Sequence, residues 1–402
     1  SEESDAADSK KLKSRETWEI LVNIPGQILY LPFRLFYAGV KPALAFIDKT
    51  DLPARLTDLF TSDDGKRTAY PIYESRTGAG FEFKQKDLWK EGTELEAEAT
   101  AGLRWRRSLG LGFQGLRLGP ALSIGFDARY RFLSDEDFYG LGNDSLERDE
   151  TNYGHRQTTF SSMFVLAVDE RTSLSSFAGF DRNSISPGRD SGDPSTTSLP
   201  PEVQAGIPGL QDRVNLFSLG LRFEHDSRNR PGNPSSGWII TAEGGLYQEL
   251  GGKTYDFVKG GFDITRLVHL FYDRVLILRT AGEISRPSSG GLIPFYYLSA
   301  LGERRSIRGF HRGRFLDRDK LLFSLEYRWP LIKRPGGMIS LDAMLFSDWG
   351  KVSPDLFEES LFKGYHNGIG GGLRVYTNKG VHVQLFFGKS RDGYRVYLVI
   401  NE

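Results

Sequence analysis

From about Tyr70 to the C-terminus, apolar and polar positions alternate with a period of two. In residues 94–106, Leu95, Ala97, Ala99, Ala101, Leu103 and Trp105 share one face, and Glu94, Glu96, Glu98, Thr100, Arg104 and Arg106 share the other. In 122–132, Leu122, Ile124, Phe126, Ala128, Tyr130 and Phe132 oppose Ser123, Asp127, Arg129 and Arg131. In 321–329, Leu321, Phe323, Leu325, Tyr327 and Trp329 oppose Ser324, Glu326 and Arg328, and in 339–348 Ile339, Leu341, Ala343 and Leu345 oppose Ser340, Asp342 and Asp348. Successive side chains of a strand point to opposite sides, so each window predicts a strand with one apolar and one charged face. The pattern predicts about 16 strands, an even number as membrane barrels have. Their expected starts lie near residues 78, 93, 109, 121, 156, 172, 214, 237, 254, 274, 294, 320, 338, 366, 380 and 393.

Such faces suit two architectures. A soluble sandwich buries its apolar faces between sheets, whereas a transmembrane barrel turns them to lipid and keeps charges in its lumen. Three features favour the barrel. The windows run ~9–13 residues, longer than the ~5–6 usual in soluble sheets and long enough to cross a bilayer at a tilt. Aromatic residues close the apolar faces at Trp105, Tyr130, Phe132, Trp238 and Trp329, as in an interfacial girdle. Short turns (Lys90–Gly92, Gly251–Lys253, Asn378–Gly380, Arg391–Gly393) alternate with long polar loops (Asp135–Asn152, Asp181–Asp212, Gly302–Asp319), the asymmetry of turns inside and loops outside. The expected fold is all-β, a transmembrane antiparallel β-barrel over residues 69–402 in a bacterial outer membrane, with outer-membrane lipid around it.

Upstream the pattern breaks. Residues 1–16 are polar and mixed in charge and are expected to form a disordered tail. Residues 17–68 are expected to be a short N-terminal helical segment, because the apolar stretch 17–48 is interrupted by Pro25, Pro32 and Pro42, each opening or ending a helical turn. That segment reads as a periplasmic plug or cap on the barrel, or as an interfacial helix, or as a docking face for a periplasmic protein or lipoprotein through residues 17–48. The chain opens on Ser rather than Met, which fits a removed signal peptide or a trimmed start.

Composition narrows the function classes. Lys and Arg total 52 and so do Asp and Glu, which leaves no net charge to attract nucleic acid. Cysteine is absent, which excludes disulfides, thiolate metal sites, a cysteine nucleophile and a lipidated N-terminal Cys. Mean hydropathy is −0.38, and the longest run free of Asp, Glu, Lys and Arg is the 16 residues Pro287–Gly302. A membrane helix needs about 20 apolar residues, so helical spans are excluded. The 46 Gly, 28 Phe and 17 Tyr fit a barrel, whose signal a hydropathy average misses.

Few motifs carry chemistry. Gly110, Gly112 and Gly115 match a dinucleotide fingerprint, but period-two sequence continues on both sides where a helix should follow, so they read as strand glycines. The six His (155, 225, 269, 311, 366, 382) show no metal spacing, and no GxSxG elbow occurs. Glu94, Glu96 and Glu98 form a carboxylate row, but Arg104, Arg106, Arg129 and Arg131 share the same inferred lumen, so mutual neutralisation is the simpler reading. No enzyme, cofactor or metal is implied. A lipid hydrolase would need a Ser and a His side by side on the outer wall.

One constellation stands out. Arg308 lies in Ser306–Phe310 (SIRGF), in the loop after a strand. Glu326 is on the charged face of the next strand and Asp348 on that of the strand after. A loop folded back into the lumen would meet both carboxylates, where a desolvated arginine takes a bidentate partner. Gly309 would permit the bend.

These residues resemble the barrel domain of the bacterial surface-antigen superfamily, which includes BamA, TamA and the two-partner-secretion transporters. The resemblance is carried by IRGF (Arg308, Gly309, Phe310), by the E-Y-R-x-P strand at Glu326, and by the F-x-D-x-G strand holding Asp348 and Gly350. It extends to HDSRNRPGNPSSGW (225–238, with Asp226, Arg228, Pro231 and Gly237), DFYGLGND (137–144) and GIGGGLRVY (368–376). It covers about residues 68–402 and implies a 16-stranded barrel with a weak seam between first and last strands. It also implies a loop-lock role in the lumen for Arg308, with Glu326 and Asp348 as partners. The implied function is insertion or translocation of client proteins, or of other cargo, at the outer membrane. Two features depart from the family. Residues 1–68 do not read as a POTRA module, so a POTRA-lacking member is expected, and the chain ends on Asn401–Glu402 rather than an aromatic residue. The alternative reading is a gated pore or a scaffold barrel for a partner complex.

Overall fold

The structure, a computed structural model, describes residues 58–230, 233–288, 290–332, 339–377 and 382–400. The expected tail, the Pro-interrupted segment up to residue 57 and Pro231 lie outside the described residues.

The strands are β1 (Arg67–Glu74), β2 (Gly78–Lys86), β3 (Glu94–Ala101), β4 (Arg107–Arg117), β5 (Leu122–Phe138), β6 (Thr151–Ala167), β7 (Thr172–Pro187), β8 (Val214–Asp226) and β9 (Gly237–Glu249). They continue with β10 (Phe257–His269), β11 (Val275–Pro287), β12 (Ser299–Leu301), β13 (Phe315–Asp317), β14 (Asp319–Ile332), β15 (Ile339–Ser353), β16 (His366–Thr377), β17 (His382–Ser390) and β18 (Gly393–Ile400). Among the described residues, one 16-stranded antiparallel sheet runs in chain order from β1 to β18, while β12 and β13 form a separate two-stranded ladder inside a loop, and Leu316 of β13 also bridges to Gly142. No ladder among the described residues joins β18 back to β1.

Burial decides between sandwich and barrel. Leu111 is 52 % exposed, Phe126 50 % and Leu345 55 %, whereas Ser108 and Asp348 on the opposite faces are fully buried. An apolar face open on the outside and a polar face enclosed within is the inverse of a soluble sandwich and is the pattern of a membrane barrel. No helix among the described residues is long and apolar enough to cross a membrane. Lumen charges pair across strands: Arg129 with Glu98 at 3.3 Å, Lys84 with Glu96 at 3.8 Å, and Lys259 with Glu283 at 3.0 Å.

Three sequence expectations need correction. The strand expected near 294 is not in the sheet. Residues Phe295–Tyr297 form a 3₁₀ turn leading into β12, and Phe295 is fully buried against Phe138 and Tyr153 rather than facing lipid. The first strand, Arg67–Glu74, was not among the expected starts, so the total of sixteen arose from one missed and one surplus strand. The window 94–106 is shorter than expected. β3 stops at Ala101, and Arg104 and Trp105 take φ of 57° and 68° in a turn, where Arg104 reaches Asp135 and Asp190 and Arg106 also binds Asp135.

Strand order also sorts the connections by end. Those following β5, β7, β11 and β15 are long and share one rim. The short turns at Gly251–Lys253 and Arg391–Gly393 lie on that same rim rather than opposite it. Long loops mark the external rim of outer-membrane barrels. At this rim the lumen holds the apolar core. Ile207 and Leu210 of one loop pack with Phe295 and Leu316 of another, and Leu301, Ile307, Phe310 and Phe315 pack with Leu322 and Val352 of the wall.

Candidate functional site: the folded-in loop

The connection from β11 to β14, described over residues 290–318, turns inward and spans the lumen. Asn183 of β7 reaches Tyr297 Oη at 3.3 Å, and Gly309 N–H donates to Tyr397 Oη of β18 at 2.9 Å. One loop thus touches strands on opposite sides of the sheet order.

Arg308 lies at its tip. Its Nε donates to Asp348 Oδ2 and one terminal nitrogen to Asp348 Oδ1, both at 2.8 Å, while the other terminal nitrogen donates to Glu326 Oε2 at 2.8 Å. Its backbone N–H adds a bond to Asp348 at 3.0 Å. The guanidinium also lies 3.5 Å above the Phe346 ring. Ser324 Oγ donates to Asp348 at 2.6 Å, and Arg328 Nε donates to the free oxygen of Glu326 at 2.6 Å. Asp348 is fully buried and Arg308 is 7 % exposed. A forked, charge-assisted pairing of this kind is strong and directional, and removing one member leaves the other buried and uncompensated.

The neighbouring residues make the close approach. Gly309 has φ of 100°, where L side chains are strained. A Cβ on Gly368 of β16 would lie 1.9 Å from the Arg308 carbonyl oxygen, and one on Gly388 of β17 2.8 Å from Gly309 N. Gly350 of β15 does the same for Ile307, at 2.8 Å. Phe310 is 1 % exposed and meets Phe315 edge-on at 5.3 Å.

The structure therefore brings Arg308, Gly309, Phe310, Glu326, Asp348 and Gly350 together. Asp226, Arg228 and Gly237 lie apart, at the opposite rim. There Arg228 folds back on Asp226 with contacts of 2.5–2.9 Å, and Gly237 at φ 122° lets the chain pass the Ser227 carbonyl.

Several residues had no role assigned from the sequence. Tyr397 stacks on Phe386 at 4.9 Å and holds Gly309; its inward parity, opposite to Tyr394, Val396 and Leu398, was the available signal. Gly368, Gly370 and Gly372 recur on one face of β16, the trace of a close-passing backbone. Arg314, 1 % exposed, is a second clamp, bonded to Asp392 at 2.6 Å and to Ser145 at 2.9 Å. Asp137, Glu150 and His311 bring three ligand-type atoms within 4.8 Å of one another from distant positions, which spacing along the chain could not reveal. Burial pushes the His311 imidazole down to about 4, with Arg395 reinforcing the shift.

The Omp85 superfamily domain matches residues 87–385, well over half of the chain. The chain belongs to the Omp85 superfamily. Solved relatives are similar in fold: BamA from Haemophilus ducreyi lacking POTRA domains 1-3, at 16% identity and TM-score 0.59, and CdiB from Escherichia coli, at 12% and 0.51. Each alignment covers 83% of this chain, but 68% of the BamA chain and 61% of the CdiB chain. No curated protein matches. As an Omp85 member, the protein is a β-barrel of the bacterial outer membrane, in a superfamily of transport and assembly barrels.

Proposed function

We propose that this barrel assists the insertion or translocation of client proteins at the outer membrane, with the Arg308 loop acting as an internal lock on the wall next to the seam. The supporting observation is the route of the loop. Arg308 is held by β14 and β15, while the next residue is held by Tyr397 of the last strand. Ser390 Oγ also donates to the Gly309 carbonyl at 2.8 Å. The loop thus braces β14 to β18, the wall ending at the edge of the sheet that is unpaired among the described residues. An exposed strand edge can template an incoming strand, so what steadies that edge bears on its exchange. The work is mechanical and needs no catalytic group.

The test is Arg308→Ala in protein reconstituted into liposomes with an unfolded outer-membrane client. The expected result is a folded barrel, judged by its heat-modifiable mobility in gels, with client insertion slowed severalfold. A spin label at Arg312, on the same loop, should become mobile. Insertion at the normal rate with a freed loop would overturn the lock; no client insertion by the unaltered protein would overturn the functional reading.

A further inference from the structure

The outer wall near the external rim carries arginines that the lumen network does not use. Arg107 of β4 and Arg156 of β6 are the direct cross-strand neighbours of Phe132 on β5. All three face outward, because Leu109, Leu111, Phe126 and Phe160, at the same parity on these strands, are each at least 50 % exposed. The guanidiniums of Arg107, Arg156 and Arg189 lie 5.5, 5.3 and 5.7 Å from the centre of the Phe132 ring. Together they shield this outward-facing ring to 4 % exposure. Arg182 of β7, exposed and outward, is two residues along the ladder from the Arg156–Ser184 pair, opposite Thr158. Arg107 also donates to Tyr130 Oη at 3.3 Å.

Among the described residues none of these four arginines has a carboxylate partner. On the lumen side Arg129 of β5 meets Glu98, and in the rim turn Arg104 meets Asp135 and Asp190, whereas Arg131 of β5 shares with the outer four the lack of a carboxylate partner among the described residues. Three cations gathered on one ring repel one another within a Debye length. The ring faces offset little of that, so the cluster calls for an anion from outside the chain. Directly below it lies the bare apolar wall of Leu109, Leu111, Phe126 and Phe160, the surface that acyl chains cover.

We infer that Arg107, Arg156, Arg182 and Arg189 form a binding site on the outer wall for a lipid of the external leaflet with a phosphorylated headgroup and acyl chains. The guanidiniums take the phosphates, through the forked geometry that suits them, and the apolar wall takes the chains. The requirement for both parts, charge above and hydrocarbon below, selects a membrane lipid over a free anion. The opposite rim offers a contrast: there Arg266 lies 4.8 Å above Trp238 as a single cation.

The test uses the full chain purified in detergent and mixed with diphosphoryl lipid A, with retained lipid counted by native mass spectrometry. The unaltered protein should keep the lipid. The combined variant Arg107→Ala, Arg156→Ala, Arg182→Ala should lose it by about tenfold or more, the scale of charge-assisted contacts. Lysines at the same three positions should restore only part of the binding, since they return the charge without the fork, and Arg266→Ala should leave it unchanged. Lipid A stripped of phosphate should not be retained, and inorganic phosphate at equal concentration should not displace the intact lipid. Equal retention by the alanine variant, or of the stripped lipid, would overturn the site. Displacement by inorganic phosphate would show a soluble-anion site and overturn the lipid assignment. If the triple variant does not fold, Arg156→Ala and Arg189→Ala singly should each lower retention, and no loss in either would have the same meaning.

Discussion

At the scale of single residues, the lumen holds charges whose worth depends on what they touch. Arg308 was legible because its loop motif and the two later strands each showed a charged residue on the inward face. Tyr397 was not, because a lone tyrosine on a strand says nothing about a loop 88 residues away. His311 was set aside for lack of spacing, yet the fold places it beside Asp137 at 4.0 Å and against Tyr139, with Arg314, Asp392 and Arg395 nearby. Its imidazole is held down at about 4 by burial first and by Arg395 next. The unfolded chain, with an ordinary histidine near pH 6.5, therefore binds a proton that the folded one refuses. Stability from this group is present above pH 6.5 and is lost as the pH falls towards 4. Thermal unfolding of the unaltered protein should drop over that window. In His311→Gln the drop should be shallower, and an identical pH profile in the two proteins would show that the imidazole is solvated in the folded state.

At the scale of elements, alternation found the strands wherever one face meets lipid and the other meets the lumen. It failed where loops supply a second partner. Residues 293–301 carry an alternation of their own, Ile293, Phe295 and Tyr297, but that face packs on Val214, Tyr153 and Phe257 inside the external half. Strand length follows the same division: β5 and β6 run 17 residues because their ends pass the bilayer and line the loop-filled vestibule, whereas β3 spans 8. The inward glycines of β16 are the clearest element-level device. Glycine weakens a strand by itself, and its use here is clearance for the loop. Gly368→Ala should leave the β16 pairing intact but drive Arg308 out of its fork, since the new Cβ would meet its carbonyl at 1.9 Å. The expected signature is that of Arg308→Ala, a mobile label at Arg312 and slowed client insertion in a folded barrel. Gly244→Ala, on a strand with nothing within 4 Å of the added carbon, is the control and should change neither. An immobile loop in Gly368→Ala would mean that the strand yields instead of the loop.

At the scale of the whole molecule, the sheet has two ends, and both are weak. β1 and β18 are 8 residues each, so whatever pairing joins them offers fewer hydrogen bonds than the long central ladders, such as the β5–β6 register from Leu122 to Phe138. Unpaired strand edges are costly in lipid, because no water is there to satisfy them, so the seam must be either closed on itself or occupied by another strand. The loop adds an asymmetry. Through Tyr397 and Ser390 it grips β18 and β17, whereas among the described residues none of its hydrogen bonds reaches β1. The absence of cysteine makes the seam directly testable, since an engineered pair is the sole thiol pair in the chain. Cysteines introduced along β1 and β18 should form a disulfide readily under oxidation, and the cross-linked barrel should keep its fold while client insertion stops. Reduction should restore it. Insertion that continues with the seam locked would place the client's route through the lumen rather than the wall, and the bracing of β18 by the loop would then serve barrel stability alone.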